Sequence, residues 1–236
     1  MKFPPLTDGR IIKRYKRFLA DVELVNGETI TAHCANTGAM TGCWTPGAPV
    51  QLSASDNPKR KLRWTLERVD MGAGWVGVNT SRVNHIIAEF IADGQIGQLT
   101  GYDLVHKEPN YQAPGFPTSR FDLLLQKQGL PDCYVEIKNT TLLVGNRLQF
   151  PDAVTSRGKK HLELLQHAVN HGYRGVILYA ANRPEGDYFC TASDIDPAYS
   201  ETLKQVRQNG VEVVVIRIRH TAAGVEVGGA VPVRLE

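Results

Sequence analysis

Phe121-Asp122-Leu123-Leu124-Leu125 and, beyond a polar turn carrying Gly129-Leu130-Pro131, Tyr134-Val135-Glu136-Ile137-Lys138 are the two stretches on which the reading of this chain turns. Both read as strands. Alternate side chains of a strand share a face, so Glu136 and Lys138 project together while Val135 and Ile137 face the other way. If the two strands pair as a hairpin, the Asp122 carboxylate reaches the same spot. Charges on the face of an apolar sheet must be paired or must hold an ion. Hard oxygen ligands suit Mg²⁺ (or Mn²⁺), which takes one or two carboxylates and completes its shell with water and phosphate. Lys138 is then placed to orient or deprotonate an attacking water and to stabilise charge growing on a phosphate. Together these parts suffice for phosphodiester hydrolysis, with Asp122, Glu136 and Lys138 as catalytic residues and the two carboxylates as metal ligands.

Working outward, Val83, Ile86, Ile87, Phe90 and Ile91 repeat at helical spacing, with Thr80 or Ser81 as the candidate N-cap. Glu89 sits at the edge of that apolar stripe and is a candidate third metal ligand, or else a solvated helix residue. After the hairpin, the sequence predicts a helix over 158–170 with Leu162, Leu165 and Val169 inward, a buried strand over 176–180, a helix over 197–209 and a strand over 211–218. Such alternation argues for an α/β layer structure. Thr155, Ser156, Arg157, Lys159, Lys160 and His161 crowd the start of the first of these helices. Free N–H groups and cations there point to a DNA phosphate, the plainer reading being capping beside a solvated basic turn.

The first eighty residues read as all-β. Short runs over 10–19, 20–25 and 28–33, with Asn26-Gly27 as a hairpin signal, are followed by a Gly/Pro-rich stretch over 38–49. Further runs over 50–55, 61–69 and 75–79 complete five or six strands, for which a small OB-like barrel is the economical closure. The predicted organisation is therefore α+β overall: a barrel over 1–80, then an α/β domain over 81–236.

Net charge is only +3, but residues 1–80 carry 11 Lys+Arg against 7 Asp+Glu, and residues 81–236 carry 16 against 17. A basic excess confined to the barrel is the footprint of a phosphate-binding surface. Lys13, Arg14, Lys16 and Arg17 around Tyr15, and Lys59, Arg60, Lys61 and Arg63 beside Trp64, are its candidate nucleic-acid contacts. Trp64 itself is assigned to the core.

Other chemistries lack their parts. Cys34, Cys43, Cys133 and Cys190 form no CxxC pair and read as small buried hydrophobes. The seven histidines include no HExxH, and neither a P-loop nor a Gly-x-Ser-x-Gly elbow occurs. No signal-peptide pattern and no membrane-length apolar run is present, so a cytoplasmic protein without membrane association is expected.

The Asp, turn, Glu-x-Lys arrangement resembles the PD-(D/E)xK nuclease signature, although Arg120-Phe121 precedes the Asp where that signature has a proline. A resemblance to the bacterial sugar fermentation stimulation protein family covers nearly the whole chain. It is carried by Asn36-Thr37-Gly38-Ala39-Met40, Pro117-Thr118-Ser119-Arg120-Phe121-Asp122, Val135 to Thr141, and Phe150-Pro151-Asp152-Ala153-Val154-Thr155-Ser156-Arg157-Gly158-Lys159-Lys160-His161. The resemblance implies a DNA-binding protein linked to regulation of maltose metabolism, with an OB-like N-terminal domain and a nuclease-like C-terminal domain. Two functions follow: a Mg²⁺-dependent nuclease, or a DNA-binding regulator that does not cut. With no helix-turn-helix or zinc finger, binding is expected to be largely non-specific. The sequence sets neither strand preference nor oligomeric state.

Overall fold

Ile11, Ala20, Val22, Ala32, Val50, Leu52, Leu66 and Val69, drawn from five strands, are buried together in one core, and their strands close into a barrel. In the computed structural model, which describes residues 1–235, these strands are β1 (Leu6–Tyr15), β2 (Leu19–Leu24), β3 (Thr29–His33), β4 (Pro49–Ala54) and β5 (Trp64–Asp70), with β6 (Trp75–Gly77) added at the edge. The sheet order is β3-β2-β1-β4-β5-β6, and parallel pairing of Ala32 with Trp64 and His33 with Thr65 closes it. The predicted barrel is present, but its first hairpin is displaced from the expected boundary near residue 19. Lys16 and Arg17 both adopt positive φ, 49° and 65°, and make the turn there. Two consecutive left-handed residues are what a tight hairpin needs, and nothing in a Lys-Arg pair announces it.

A helix, α1 (Thr80–Ala92), leaves the barrel. Its N-cap is Asn79 rather than Thr80 or Ser81, with Asn79 Oδ1 accepting from the Ser81 N–H. The chain continues through β7 (Leu104–Lys107), β8 (Asn110–Tyr111), β9 (Ser119–Arg120), β10 (Leu123–Gln126), β11 (Cys133–Thr140), β12 (Leu142–Val144), β13 (Arg147–Phe150) and α2 (Ser156–Asn170). It ends with β14 (Arg174–Ala181), β15 (Tyr188–Thr191), α3 (Pro197–Gln208), β16 (Glu212–His220) and β17 (Val225–Ala230). The main sheet has the order β17-β16-β14-β11-β10-β7, parallel across β11, β14 and β16 and antiparallel at both flanks. β14 is buried along nearly its whole length, as a central strand covered on both faces must be.

Two layers of side chains enclose that sheet. Val135 and Ile137 pack with α1 through Val83, Ile86, Ile87 and Phe90. The opposite face, with Ile177 and Tyr179, packs against Leu162, Leu164 and Leu165 of α2 and Leu203 of α3. Glu136 pairs in register with Ile177 and Lys138 with Tyr179, so both point into the α2 layer. This is the division of faces that a period of two imposes.

The barrel and the second domain are bound by polar contacts at named points. Glu67 of β5 is buried and accepts from Ser53 Oγ at 2.5 Å, Asn79 Nδ2 at 2.9 Å, and Arg82 Nε and Nη2 at 2.5 and 2.7 Å. Arg68, equally buried, lies over the rings of Phe3 and Trp75 and donates to the Thr221 carbonyl at 2.8 Å. The first residues do not stay with the barrel. Lys2 bridges to Gly224, and the N-terminal ammonium of Met1 donates to the Val225 carbonyl. No helix among the described residues is long and apolar enough to cross a membrane.

Candidate functional site

Antiparallel pairing of Leu123 with Val135 brings Asp122, the residue just ahead of β10, alongside β11. Its carboxylate accepts from the Ile137 N–H at 2.7 Å and from Asn84 Nδ2 at 2.7 Å. Burial pushes the Asp122 carboxyl up, the charge on Glu136 adds to this, and these donors with Lys138 offset only part, leaving it at about 6. Glu136 is 3% exposed. Its Oε1 meets Lys138 Nζ at 2.6 Å and also His161 Nδ1, while its Oε2 is buried without a partner. Burial works to raise Glu136, but the neighbouring Lys138 and then His161 outweigh it and hold the carboxyl below its ordinary range.

Asp122, Glu136 and Lys138 are thus brought together. Glu89 is not. Its carboxylate pairs with the Met1 ammonium at 2.9 Å, and five helical positions carry it well round the helix from Asn84. The α1 residue facing Asp122 is Asn84, a position the sequence does not single out. The signal is indirect: Asn84 lies in the helical row of Thr80, Ile87 and Ile91, a polar residue set in an apolar stripe.

His161 also changes role. Grouped with the basic residues as a phosphate contact, it is buried and turned onto Glu136, because it shares an inward row with Leu164, Leu165 and Ala168. Thr155 is the N-cap of α2, its Oγ1 taken up by the Gly158 N–H at 3.0 Å, and Asp196, itself the cap of α3, accepts from the Thr155 N–H at 2.8 Å. Lys159 pairs with Glu163 at 2.6 Å, Lys160 is half-buried, and Arg157 is exposed.

On the barrel, Lys16 and Arg17 are exposed at the β1–β2 turn, and Lys13 pairs with Asp21 at 3.3 Å. Arg14 is half-buried. Its Nη2 donates to the carbonyls of Arg17, Asn36 and Gly38 at 2.7, 2.8 and 2.9 Å, bracing the loop after β3. Lys59, Arg60, Lys61 and Arg63 are exposed in the loop before β5, with Arg60 donating to Thr65 Oγ1 at 3.0 Å. Trp64 packs against the barrel core.

A cleft of about 370 Å³ opens where the braced loop faces the site. Asn36, Thr37 and Gly38 line it from the barrel, and Asn84, Lys138 and Arg157 from the second domain.

The donor set suits a hard cation. Glu136 Oε2 is buried without a partner and Asp122 resists ionisation although Lys138 lies near both, and carboxylate oxygens are the ligands that hard cations prefer. The set is two carboxylates, not three: among the described residues no group of three or more His, Cys, Asp and Glu could hold one ion.

Comparisons with known proteins agree with this architecture. A family model described as the sugar fermentation stimulation protein RE domain matches residues 81–224, and one described as the SfsA N-terminal OB domain matches residues 12–78. A sugar fermentation stimulation protein homolog of Geotalea uraniireducens is 44% identical over 236 residues, the full length of both chains. One of Maricaulis maris is 49% identical over 216 residues, covering 91% of this chain and 90% of its own. The structure of Pyrococcus furiosus SfsA in complex with Ca²⁺ shares the fold, with a TM-score of 0.89 at 22% identity over 99% of this chain and 98% of that one. On matches that together span both of its domains, this chain belongs to the sugar fermentation stimulation protein family.

Proposed function

We propose that this protein is a DNA-binding, divalent-metal-dependent nuclease acting at Asp122, Glu136 and Lys138. The observation that carries the reading is the buried Glu136 Oε2 left without a partner beside an Asp122 held at about 6. A buried carboxylate beside a half-buried one is otherwise a standing cost to the fold. The Ca²⁺ complex of the Pyrococcus furiosus relative supports a divalent ion. A bound Mg²⁺ or Mn²⁺ supplies Lewis-acid polarisation of a phosphoryl oxygen and a more acidic water. The chain's own residues do the rest. Asn84 and the Ile137 N–H fix Asp122, and His161 fixes Glu136. Lys138 offers an ammonium to the charge that develops on phosphate as a water attacks. Arg157, Lys16, Arg17 and Lys61 hold flanking phosphates, which makes binding salt-sensitive and largely indifferent to sequence.

A second reading is a non-cleaving DNA-binding factor in sugar (maltose) metabolism, as the family's name suggests. It is favoured by the closure of Lys138 onto Glu136 at 2.6 Å, which leaves the ammonium neutralised within the site. The deciding experiment incubates single- and double-stranded DNA with Mg²⁺ or Mn²⁺, comparing the wild type with Lys138→Ala and Glu136→Ala. Metal-dependent cutting that both variants lose supports the nuclease. Retention of DNA without cutting, in either metal and on every substrate, transfers the conclusion to the regulator.

A further inference from the structure

The cleft of about 370 Å³ between the barrel and the second domain lies at the low end of the range of roughly 300–1,000 Å³ found for small-molecule sites. Ile137 and Lys138, the two residues after Glu136, line it, and so does Asn84, which holds Asp122. The barrel side is a braced wall. Arg14 binds the carbonyls of Asn36 and Gly38, Thr80 Oγ1 donates to the Ala35 carbonyl, and the Cys43 thiol faces the Thr141 carbonyl. Gly38 approaches Asp152 so closely that a Cβ at position 38 would collide with that carboxylate. The barrel and the second domain are therefore in contact beside the cleft.

The lining is chemically specific. Asn36, Asn139, Thr141, Gln149, Asp152 and Arg157 line the cleft; Asn36 Oδ1 already accepts from the Gly38 N–H and Asn139 Oδ1 from Asn182 Nδ2, so these two keep their amide N–H groups for a ligand. The Asn36 and Asn139 amides are donors and the Gln149 carboxamide oxygen an acceptor, a set that complements the polar edge of a base. Arg157 adds a planar cation for phosphate. Glu136 is buried and does not line the cleft, but its partner Lys138 does, so a phosphate entering the cleft meets Lys138. In a duplex the Watson–Crick edges are occupied by pairing and only the groove edges remain, and a base enters a cleft of this size only by leaving the stack. An unpaired strand turns freely about its backbone and presents its edges.

We infer that the cleft binds one unpaired nucleotide of a single-stranded DNA segment, so that the substrate is a single strand, tail or flap and not a fully paired duplex. The inference rests on the nuclease reading of the same site and adds the substrate class to it. The barrel then takes part directly, its Asn36–Gly38 loop forming half of the nucleotide pocket, while its basic turns carry the strand onward.

The test uses the full chain and three DNAs of matched length: a single strand, a blunt hairpin, and the hairpin with an unpaired tail. Fluorescence anisotropy in Ca²⁺ measures binding and gel analysis in Mg²⁺ measures cutting, for the wild type and for Thr37→Trp, which fills the cleft from an exposed position. Single strand and tailed hairpin are expected to bind at least tenfold tighter than the blunt hairpin. Thr37→Trp is expected to lose that preference with its Tm within a few degrees of wild type. Equal affinity of the wild type for blunt and tailed hairpins overturns the inference, as does an undiminished preference in Thr37→Trp. If no DNA is cut but the preference exists and Thr37→Trp abolishes it, the nuclease reading falls and the nucleotide cleft stands. If the blunt hairpin is cut as fast as the single strand, the nuclease stands and the nucleotide cleft falls.

Discussion

Asn84 Nδ2 donates a 2.7 Å hydrogen bond to Asp122 Oδ1, tying the helix that leaves the barrel to the first carboxylate of the site. A hydrogen bond to a charged group contributes about 1.5–3 kcal/mol. Asn84→Ala removes a bond that favours the ionised form, so Asp122 rises further above its present value of about 6. The expected result is a loss of roughly tenfold or more in Mn²⁺ affinity at pH 7, read by isothermal titration, which shrinks as the pH is raised. An affinity equal to wild type at pH 7 would remove Asn84 from the site.

The same carboxyl makes stability depend on pH without added metal. Asp122 goes from 3.8 to about 6 on folding, so the folded protein binds that proton more tightly than the unfolded chain. Its contribution is fully present below pH 3.8 and is lost as the pH rises through 6, about 3 kcal/mol in all. Asp122→Asn removes the ionisation and is expected to raise the metal-free Tm at pH 7.5 while changing it little at pH 4. Adding Mg²⁺ at pH 7.5 then raises the Tm of the wild type and not of the variant. Equal Tm values for the two metal-free proteins at pH 7.5 would contradict the burial of this charge.

His220 acts in the opposite sense. Burial, and then the nearby Arg68 charge, lower it to about 3, and its Nε2 lies 2.7 Å from Asn182 Oδ1 with Nδ1 buried and unpartnered. A histidine depressed from 6.5 contributes stability present above pH 6.5 and lost as the pH falls toward 3, roughly 4–5 kcal/mol at the limit. His220→Gln, which cannot take up the proton, is expected to flatten the acid limb of the unfolding curve between pH 6 and 4. An unchanged slope in urea titrations across that range would show that His220 protonates freely in the fold.

What was legible follows from how each signal is written. The Glu136–Lys138 face was readable because a period of two needs only adjacent residues. The barrel was readable because its runs are separated by turn residues. Asn84 was harder, since its meaning depends on Asp122, 38 residues away, and a carboxylate such as Glu89 is the more obvious candidate ligand. His161 was masked by the basic residues around it, although its row in α2 is apolar. Arg14 looked like its exposed neighbours Lys13 and Lys16, and only the loop it braces, some two dozen residues on, distinguishes it. The strands β7, β8, β9, β12, β13 and β15 are of two to four residues, too short for a periodic pattern to emerge before tertiary pairing decides.

Arg82 and Glu67 provide a test of how the two domains hold together. Glu67 is buried and fully partnered, with Arg82 bridging to it from α1 through two nitrogens. Removing one member of a buried pair strands the other charge, at a cost of about 3–5 kcal/mol. Arg82→Ala is expected to lower the Tm by many degrees, and Arg82→Ala with Glu67→Gln to recover a substantial part, since the stranded charge is then gone. If the double variant is no more stable than the single one, the pair does not carry the interface.

The exposed basic turns yield the last prediction. If Lys16, Arg17 and Lys61 each neutralise one phosphate, each releases about one counterion, and the slope of log K against log salt falls by roughly 0.7 per lost contact on a single strand. Lys16→Ala with Lys61→Ala is then expected to lower the slope by about 1.4 and to weaken binding at low salt on every sequence alike. The two lysines sit on separate exposed loops of the barrel, so their effects add. Arg14→Lys is the contrasting variant. Its guanidinium is committed to the loop carbonyls, and a lysine cannot reproduce that fork. Its effect is expected on the Asn36–Gly38 wall, as weaker binding of unpaired DNA at all salt concentrations with the slope retained. A reduced slope for Arg14→Lys, or an unchanged one for the double lysine variant, would reverse the assignment of which basic residues meet the DNA.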